Sequence, residues 1–428
     1  MKVHIGILTA CMMVTCAAAP TATVKSVSVD SVSRIVKVTY TLDETAVVTL
    51  SASNNTEVVA PERMTHVWGD VNRKVVADGK EKTLWWSMLA DHVNDDIDAG
   101  ELKLYVRTWA LDATPPYMAV DLLSSKCVRF YADAASVPGG VTNALYKTSV
   151  MLMRRVYAKD VVWRMGAPSD ENNREPNDIP RLVVLTNDYY LGVFEVTQRQ
   201  YYNIHASNPA TYEQQSLPDA PFRSVSRVNW GTLRGGTLDG NIWPKDGRAI
   251  TDKTRPLYKL RTISGIPDFD LPTEAQWEYA CRAGEPAALY NGKELLGDRN
   301  GASTNLDEIA WYKFNVSEAA PQPVGLKKPN AWGFYDMLGN VWELCVDWWS
   351  EGTDYHNSVT ADAAVPVKEP IGPELENPSV GIRRGGSFND PSFCLRAAMR
   401  NKADRGWQQQ DWWGFRVWCG SDFSKASF

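Results

Sequence analysis

Histidine is scarce in this 428-residue sequence: there are 5, and past residue 146 only His205 and His356 remain, neither beside a motif. A non-haem iron centre of two imidazoles and a carboxylate needs both to converge, so iron is not expected. A Ser/His/Asp triad meets the same shortage. Positive charge is not in excess either, since 45 Lys and Arg stand against 51 Asp and Glu for a net charge of −6. Such a chain offers no field to a phosphate backbone, and nucleic acid is not an expected partner. No C-x-x-C or Cys/His zinc spacing occurs, and neither a Walker sequence nor G-x-G-x-x-G is present. After residue 19 no run approaches the ~20 apolar residues of a membrane span.

What is present fits a globular chain of two or three domains, 44% hydrophobic and 22% charged, with an unusual 17 tryptophans. The first residues read as a leader. Met1-Lys2 is positive, Ile5 to Thr15 is apolar, and Cys16-Ala17-Ala18 or Ala17-Ala18-Ala19 offers small residues to signal peptidase, with Pro20 disfavouring the second cut. Residues 1–19 are therefore expected to be removed and the protein exported, to the periplasm or beyond the cell. Leu8-Thr9-Ala10-Cys11 spells a competing lipobox that would anchor Cys11, but the apolar region before it is too short. Removal of the leader leaves Cys127, Cys281, Cys345, Cys394 and Cys419, an odd set in which at least one thiol stays free.

From 23 to 131 apolar and polar residues alternate with period two in Val24–Val29, Ile35–Leu42, Ala46–Ala52 and Leu102–Ala110, with Thr83–Trp86 and Met118–Leu122 as further strands. Short strands with polar turns and no long helical pattern predict an all-β sandwich of immunoglobulin or fibronectin III kind, a spacer or docking platform. His66 and His92 look isolated within it. Residues 132–145, small and Gly/Pro-bearing, read as a linker, 146–420 as an irregular α+β domain and 421–428 as a tail.

Two helix starts are written in the second domain as T-x-x-Q capping boxes, at Thr197 with Gln200 and at Thr273 with Gln276. The same segments carry a resemblance. Gly192-Val-Phe-Glu-Val-Thr-Gln, Leu271-Pro-Thr-Glu-Ala-Gln-Trp-Glu-Tyr-Ala-Cys-Arg-Ala-Gly284, Asn330-Ala-Trp-Gly-Phe-Tyr-Asp-Met-Leu-Gly-Asn-Val-Trp-Glu343, Arg384-Gly-Gly-Ser387 and Gly414-Phe-Arg416 follow in that order. Together they resemble the sulfatase-modifying factor, or formylglycine-generating enzyme, family. The resemblance implies a C-type-lectin-like domain built largely of loops. Fold alone does not settle chemistry, because the family's members include copper oxidases, iron-dependent relatives and binders.

The oxidase members hold Cu(I) with two cysteines spaced C-x4-C after the Gly-Gly-Ser turn, a soft dithiolate set. Here Asp390 stands where the first would be and Cys394 misses the second by one, so copper is not expected; Ser387, Asp390 and Cys394 are the only weak catalytic candidates. The resemblance implies instead a disulfide from Cys281 to Cys394. It also implies a calcium site from the Asp336 and Glu343 side chains with the Gly339 and Val341 carbonyls, an oxygen set that suits that ion. The competing reading pairs Glu343 with an arginine and makes Asp336 cap the turn.

The loop from Arg405 to Trp413 is dense in tryptophan and glutamine, groups suited to a sugar or a protein epitope. Trp407, Gln408 and Gln410, with Asn389 and Asp390, are the expected binding surface, whereas Trp413 and Trp418 are expected in the core. Two functions follow: an exported protein that binds a glycan or protein ligand, or a formylglycine-generating oxidase acting on a sulfatase cysteine with an altered metal site.

Overall fold

Period-two alternation builds the first domain as the sequence predicts. The computed structural model describes residues 19–54, 57–91, 102–235, 248–349, 365–372, 380–404 and 410–428. They divide into two compact units, one ending at Val120 but taking in Cys127–Asn143 and Ser421–Phe428, the other made of Asp121–Lys126 and Ala144–Gly420. In the first unit, strands Ala22–Val29, Ile35–Leu42, Lys82–Ser87 and Val67–Gly69 lie side by side in an antiparallel sheet. Ala46–Asn54 centres a second sheet, paired with Leu102–Trp109 along one edge and with Glu57–Val58 and Arg73–Val75 along the other.

One core joins the two sheets: Val36, Val38, Tyr40, Leu84 and Trp86 of the first cluster with Val48, Ala52, Leu102 and Leu104 of the second. This is the expected sandwich, and each fully buried large side chain stabilises it by about 1.5–3 kcal/mol. His66 is not isolated. Its Nδ1 lies 2.6 Å from Asp91 Oδ1, while Trp86 Nε1 donates to Asp91 Oδ2 at 2.8 Å. His92 lies outside the described residues.

Two segments read as connectors prove to be packed parts of this unit. Val137, mid-way along the expected linker, is buried, and Asp133 and Ser136 close the turn just before it with three hydrogen bonds. In the expected tail, Phe423 packs on Phe130 with ring centres 5.4 Å apart, and Lys74 Nζ donates to the Ala426 carbonyl at 2.8 Å. Aromatic burial, invisible in a short polar-looking terminus, fixes it there.

The second unit is a mixed α/β domain. Among the described residues its α-helices are α1 (Gln198–His205), α2 (Tyr212–Gln215), α3 (Trp230–Arg234), α4 (Pro256–Ser264) and α5 (Glu274–Arg282). Both predicted capping boxes form: Thr197 Oγ1 accepts from Gln200 N and Gln200 Oε1 from Thr197 N, and Thr273 with Gln276 repeats the pattern. The chain leaves α5 through a left-handed Ala283 before Gly284.

The sheet that matters for function is ordered Arg400–Asp404, Val380–Arg384, Trp342–Trp348, Trp413–Gly414. Beyond Arg400–Asp404 the chain returns in two short pieces, Trp413–Gly414 and Trp418–Gly420. Arg396 is turned inward, onto Glu171 at 2.6 Å and Asp178 at 2.7 Å. No helix among the described residues is long and apolar enough to cross a membrane.

Candidate functional site

Strand register sorts the motif residues onto two faces. Glu343 lies opposite Arg384, Leu344 opposite Arg383 and Trp342 opposite Trp413. Directly opposed residues share a face and successive residues alternate, so Glu343 and Arg384 face one way while Trp342, Leu344, Arg383 and Trp413 face the other.

The first face is an ion-pair interior. Arg384 bonds Glu278 of α5, Arg282 Nε reaches the same carboxylate at 2.9 Å, and Arg400 Nε reaches Glu274 at 2.7 Å. Glu343 Oε1 accepts from Arg416 Nε at 3.1 Å and Nη2 at 2.8 Å; Oε2 accepts from Arg416 Nε at 3.1 Å and from Trp277 Nε1 at 2.7 Å. Four donor contacts fill the acceptor positions of that carboxylate. Beside it, Glu195 accepts from Asn340 Nδ2 at 2.6 Å, from the Val341 N–H at 3.1 Å and from Ser224. Burial, reinforced by the Asp336 and Glu343 charges, pushes the Glu195 carboxyl well up.

The calcium set implied by the resemblance does not fit as a whole. Asp336 Oδ2 accepts from the Gly325 N–H at 2.6 Å and Oδ1 is buried without a partner, which would suit an ion. Glu343, however, is committed to Arg416 and Trp277, the arrangement of the competing reading.

The second face carries the Gly-Gly-Ser turn. Gly385 and Gly386 adopt φ of +93° and +75°, and a Cβ on Gly386 would lie 2.9 Å from the Cys394 carbonyl, so glycine alone permits this approach. The turn delivers Ser387 to Asp390, whose Oδ2 also accepts from Trp342 Nε1 at 2.7 Å. Lys313 N–H donates to the Asp390 carbonyl at 3.1 Å. Burial lifts the Asp390 carboxyl above the usual range, against the pull of Ser387 and Arg383. Ser387 is therefore a donor within the loop, and no histidine among the described residues is bonded to it. His205, the one described histidine of this domain, binds Ser207 Oγ and the Thr254 carbonyl instead; His356 lies outside the described residues.

The expected Cys281–Cys394 bridge is not formed; both thiols are free. Cys281 lies in the last turn of α5 with Sγ 4.0 Å from the Met337 carbonyl, on the interior side with Arg384 and Glu278. Cys394 closes the short turn Ser392–Cys394 among Asp390, Arg383 and Arg299. The two thiols thus answer to different surroundings, and burial pushes both well above the usual thiol range.

Of the expected binding surface, Asn389 is exposed and Asp390 and Gln410 are half-buried, while Trp407 and Gln408 lie outside the described residues. The Gln410 carbonyl accepts from the Arg227 and Trp413 N–H groups at 3.1 Å each, and Trp342 N–H donates to the Trp412 carbonyl at 2.9 Å, which ties that loop's end to the same strand pair. Trp413 and Trp418 are core, as expected. Sequence reasoning missed Arg383. Its guanidinium sits 4.7 Å from the Trp342 ring and 4.9 Å from that of Trp413, with Nε and Nη1 buried and unpartnered. Burial pulls it down to about 10. The signal was there in the Arg383-Arg384 doublet, because adjacent strand residues must face opposite ways.

Comparison with known proteins bears on this geometry. The sulfatase-modifying factor enzyme 1-like domain matches residues 151–419. A formylglycine-generating enzyme of Thermomonospora curvata is 36% identical over 265 residues, covering 55% of this chain and 82% of the relative. That of Mus musculus is 33% identical, covering 64% and 76%. The chaperone protein LppX of Paenibacillus barcinonensis is 29% identical over 205 residues, covering 39% of this chain and 65% of the relative, so the chain spans just under two thirds of that protein.

Proposed function

Given that this chain belongs to the sulfatase-modifying factor enzyme 1-like family, we propose that it is an exported recognition or accessory member, whose second domain binds a glycan or protein ligand on the Gly-Gly-Ser face. The observation that carries this reading is the state of Asp390. Where a thiolate pair would be needed for Cu(I), a carboxylate is bonded to Ser387 and Trp342, and the single nearby thiol, Cys394, is buried and held protonated. One protonated thiol and one hard oxygen donor do not make a soft dithiolate site. The exposed Asn389 and the part-buried Arg383, whose Nε and Nη1 have no partner among the described residues, supply polar groups of the kind that recognition uses. Similarity to formylglycine-generating enzymes favours the second reading, oxidation of a sulfatase cysteine. Competition for Cu(I) against a chromophoric chelator separates the two. The chain is expected to leave the chelator's colour unchanged, and stoichiometric transfer of Cu(I) to the protein would favour the oxidase.

A further inference from the structure

Between α1 and α2 lies a cleft of about 370 Å³ that shares no residue with the Gly-Gly-Ser face. Gln198, Arg199, Tyr202, Asn208, Gln215 and Pro221 line it. Its polar groups are held before any ligand arrives. Asn208 Nδ2 donates to Gln198 Oε1 at 2.8 Å, Asn208 Oδ1 accepts from the Ala210 N–H at 3.1 Å, and Gln215 Nε2 donates to the Ala210 carbonyl at 2.6 Å. One amide is left over: Gln198 is only 2% exposed, and its Nε2 is buried with no partner. Buried amides are almost always bonded, so this orphan donor asks for an acceptor from outside the chain. Tyr202 offers a ring that is 51% exposed, although it stands on a helix whose other face is core. Arg199 is exposed and has no ion pair among the described residues. The neighbouring Asp219 is engaged with Arg223 at 2.5 Å and does not offset it.

We propose that this cleft binds a saccharide unit. A half-exposed phenol ring is a platform for the apolar C–H face of a pyranose, and amides held by one another meet hydroxyls with little ordering left to do. Arg199 adds donors for a hydroxyl or a uronate carboxylate. A polypeptide strand would need an unpaired strand edge, and the cleft walls are helices and their connecting loop. This site stands apart from the function proposed above and does not rest on it.

The test is saturation-transfer NMR and calorimetry on the full chain with maltotriose, chitotriose and trigalacturonate. At least one should bind, and Tyr202→Ala and Arg199→Ala should each weaken it fivefold or more without shifting Tm, because both side chains are exposed. The Asn389→Ala variant should leave this binding unchanged. Failure of all three sugars to bind, or binding that survives both cleft substitutions, would overturn the proposal. Loss of sugar binding in Asn389→Ala alone would place the sugar on the Gly-Gly-Ser face, sinking this proposal while supporting the earlier one. A Tm drop in either cleft variant moves the decision to Tyr202→Phe, which keeps the ring and should retain binding; loss there contradicts the stacking role.

Discussion

Glu343 and Arg416 form a closed pair inside the second domain, with Arg416 Nη2 2.8 Å from Glu343 Oε1, both side chains at most 1% exposed. Arg416 also donates to the Gly192 carbonyl at 2.8 Å and the Tyr335 carbonyl at 2.7 Å, so one guanidinium joins three of the motifs by which the family is identified. Removing one partner leaves an uncompensated buried charge. Arg416→Met is expected to destabilise the domain by roughly 3–5 kcal/mol in chemical denaturation, and adding Glu343→Gln should recover part of that loss.

The same pair governs calcium. An ion at Asp336 and Glu343 would have to displace Arg416, so excess EDTA is expected to leave Tm unchanged. A fall of several degrees, reversed by added Ca²⁺, would mean that the guanidinium yields to the metal.

Helix capping gives a local prediction. Thr197 Oγ1 both accepts from Gln200 N–H and donates to the Lys147 carbonyl at 2.8 Å. Thr197→Ala should lower stability by about 1–2 kcal/mol, and Thr197→Ser, which keeps the hydroxyl, by much less.

Asp347 sets a pH dependence. Burial and the Glu274 charge raise its carboxyl to about 7, while Oδ2 accepts from the Glu274 N–H at 2.6 Å. Because the folded value lies above the unfolded one, its contribution to stability is full below about pH 4 and is lost as pH rises through 7. Asp347→Asn keeps the acceptor and removes the charge, so the drop in Tm between pH 5 and pH 8 should be smaller than in the native chain. An unchanged drop would show that Asp347 does not drive it.

Cysteine state is directly readable. Alkylation of the denatured, unreduced protein should label both the Cys281 and the Cys394 peptides; a peptide pair released only by reductant would restore the bridge that the family resemblance implies.

Much of the fold was legible because it rests on local chemistry. Alternation at Ile35–Leu42 and the boxes at Thr197 and Thr273 state their structures in a few adjacent residues. The site was less legible because it is made by register and long-range pairing. Nothing near Glu343 in the sequence names Arg416 as its partner, and nothing near Arg383 announces Trp413, 30 positions later, as the ring it lies against. The tail at 421–428 was misread for the same reason, since Phe423 acquires its role only from Phe130.

The central claim is that this domain recognises and does not oxidise. The most direct measurement is mass spectrometry of a cysteine-containing sulfatase peptide after incubation with the full chain, Cu(I) and oxygen. The account predicts that the cysteine peptide is recovered at its starting mass. Formation of the aldehyde in multiple turnovers would contradict it and would require Cys394 to find a second metal donor that the Asp390 arrangement does not supply.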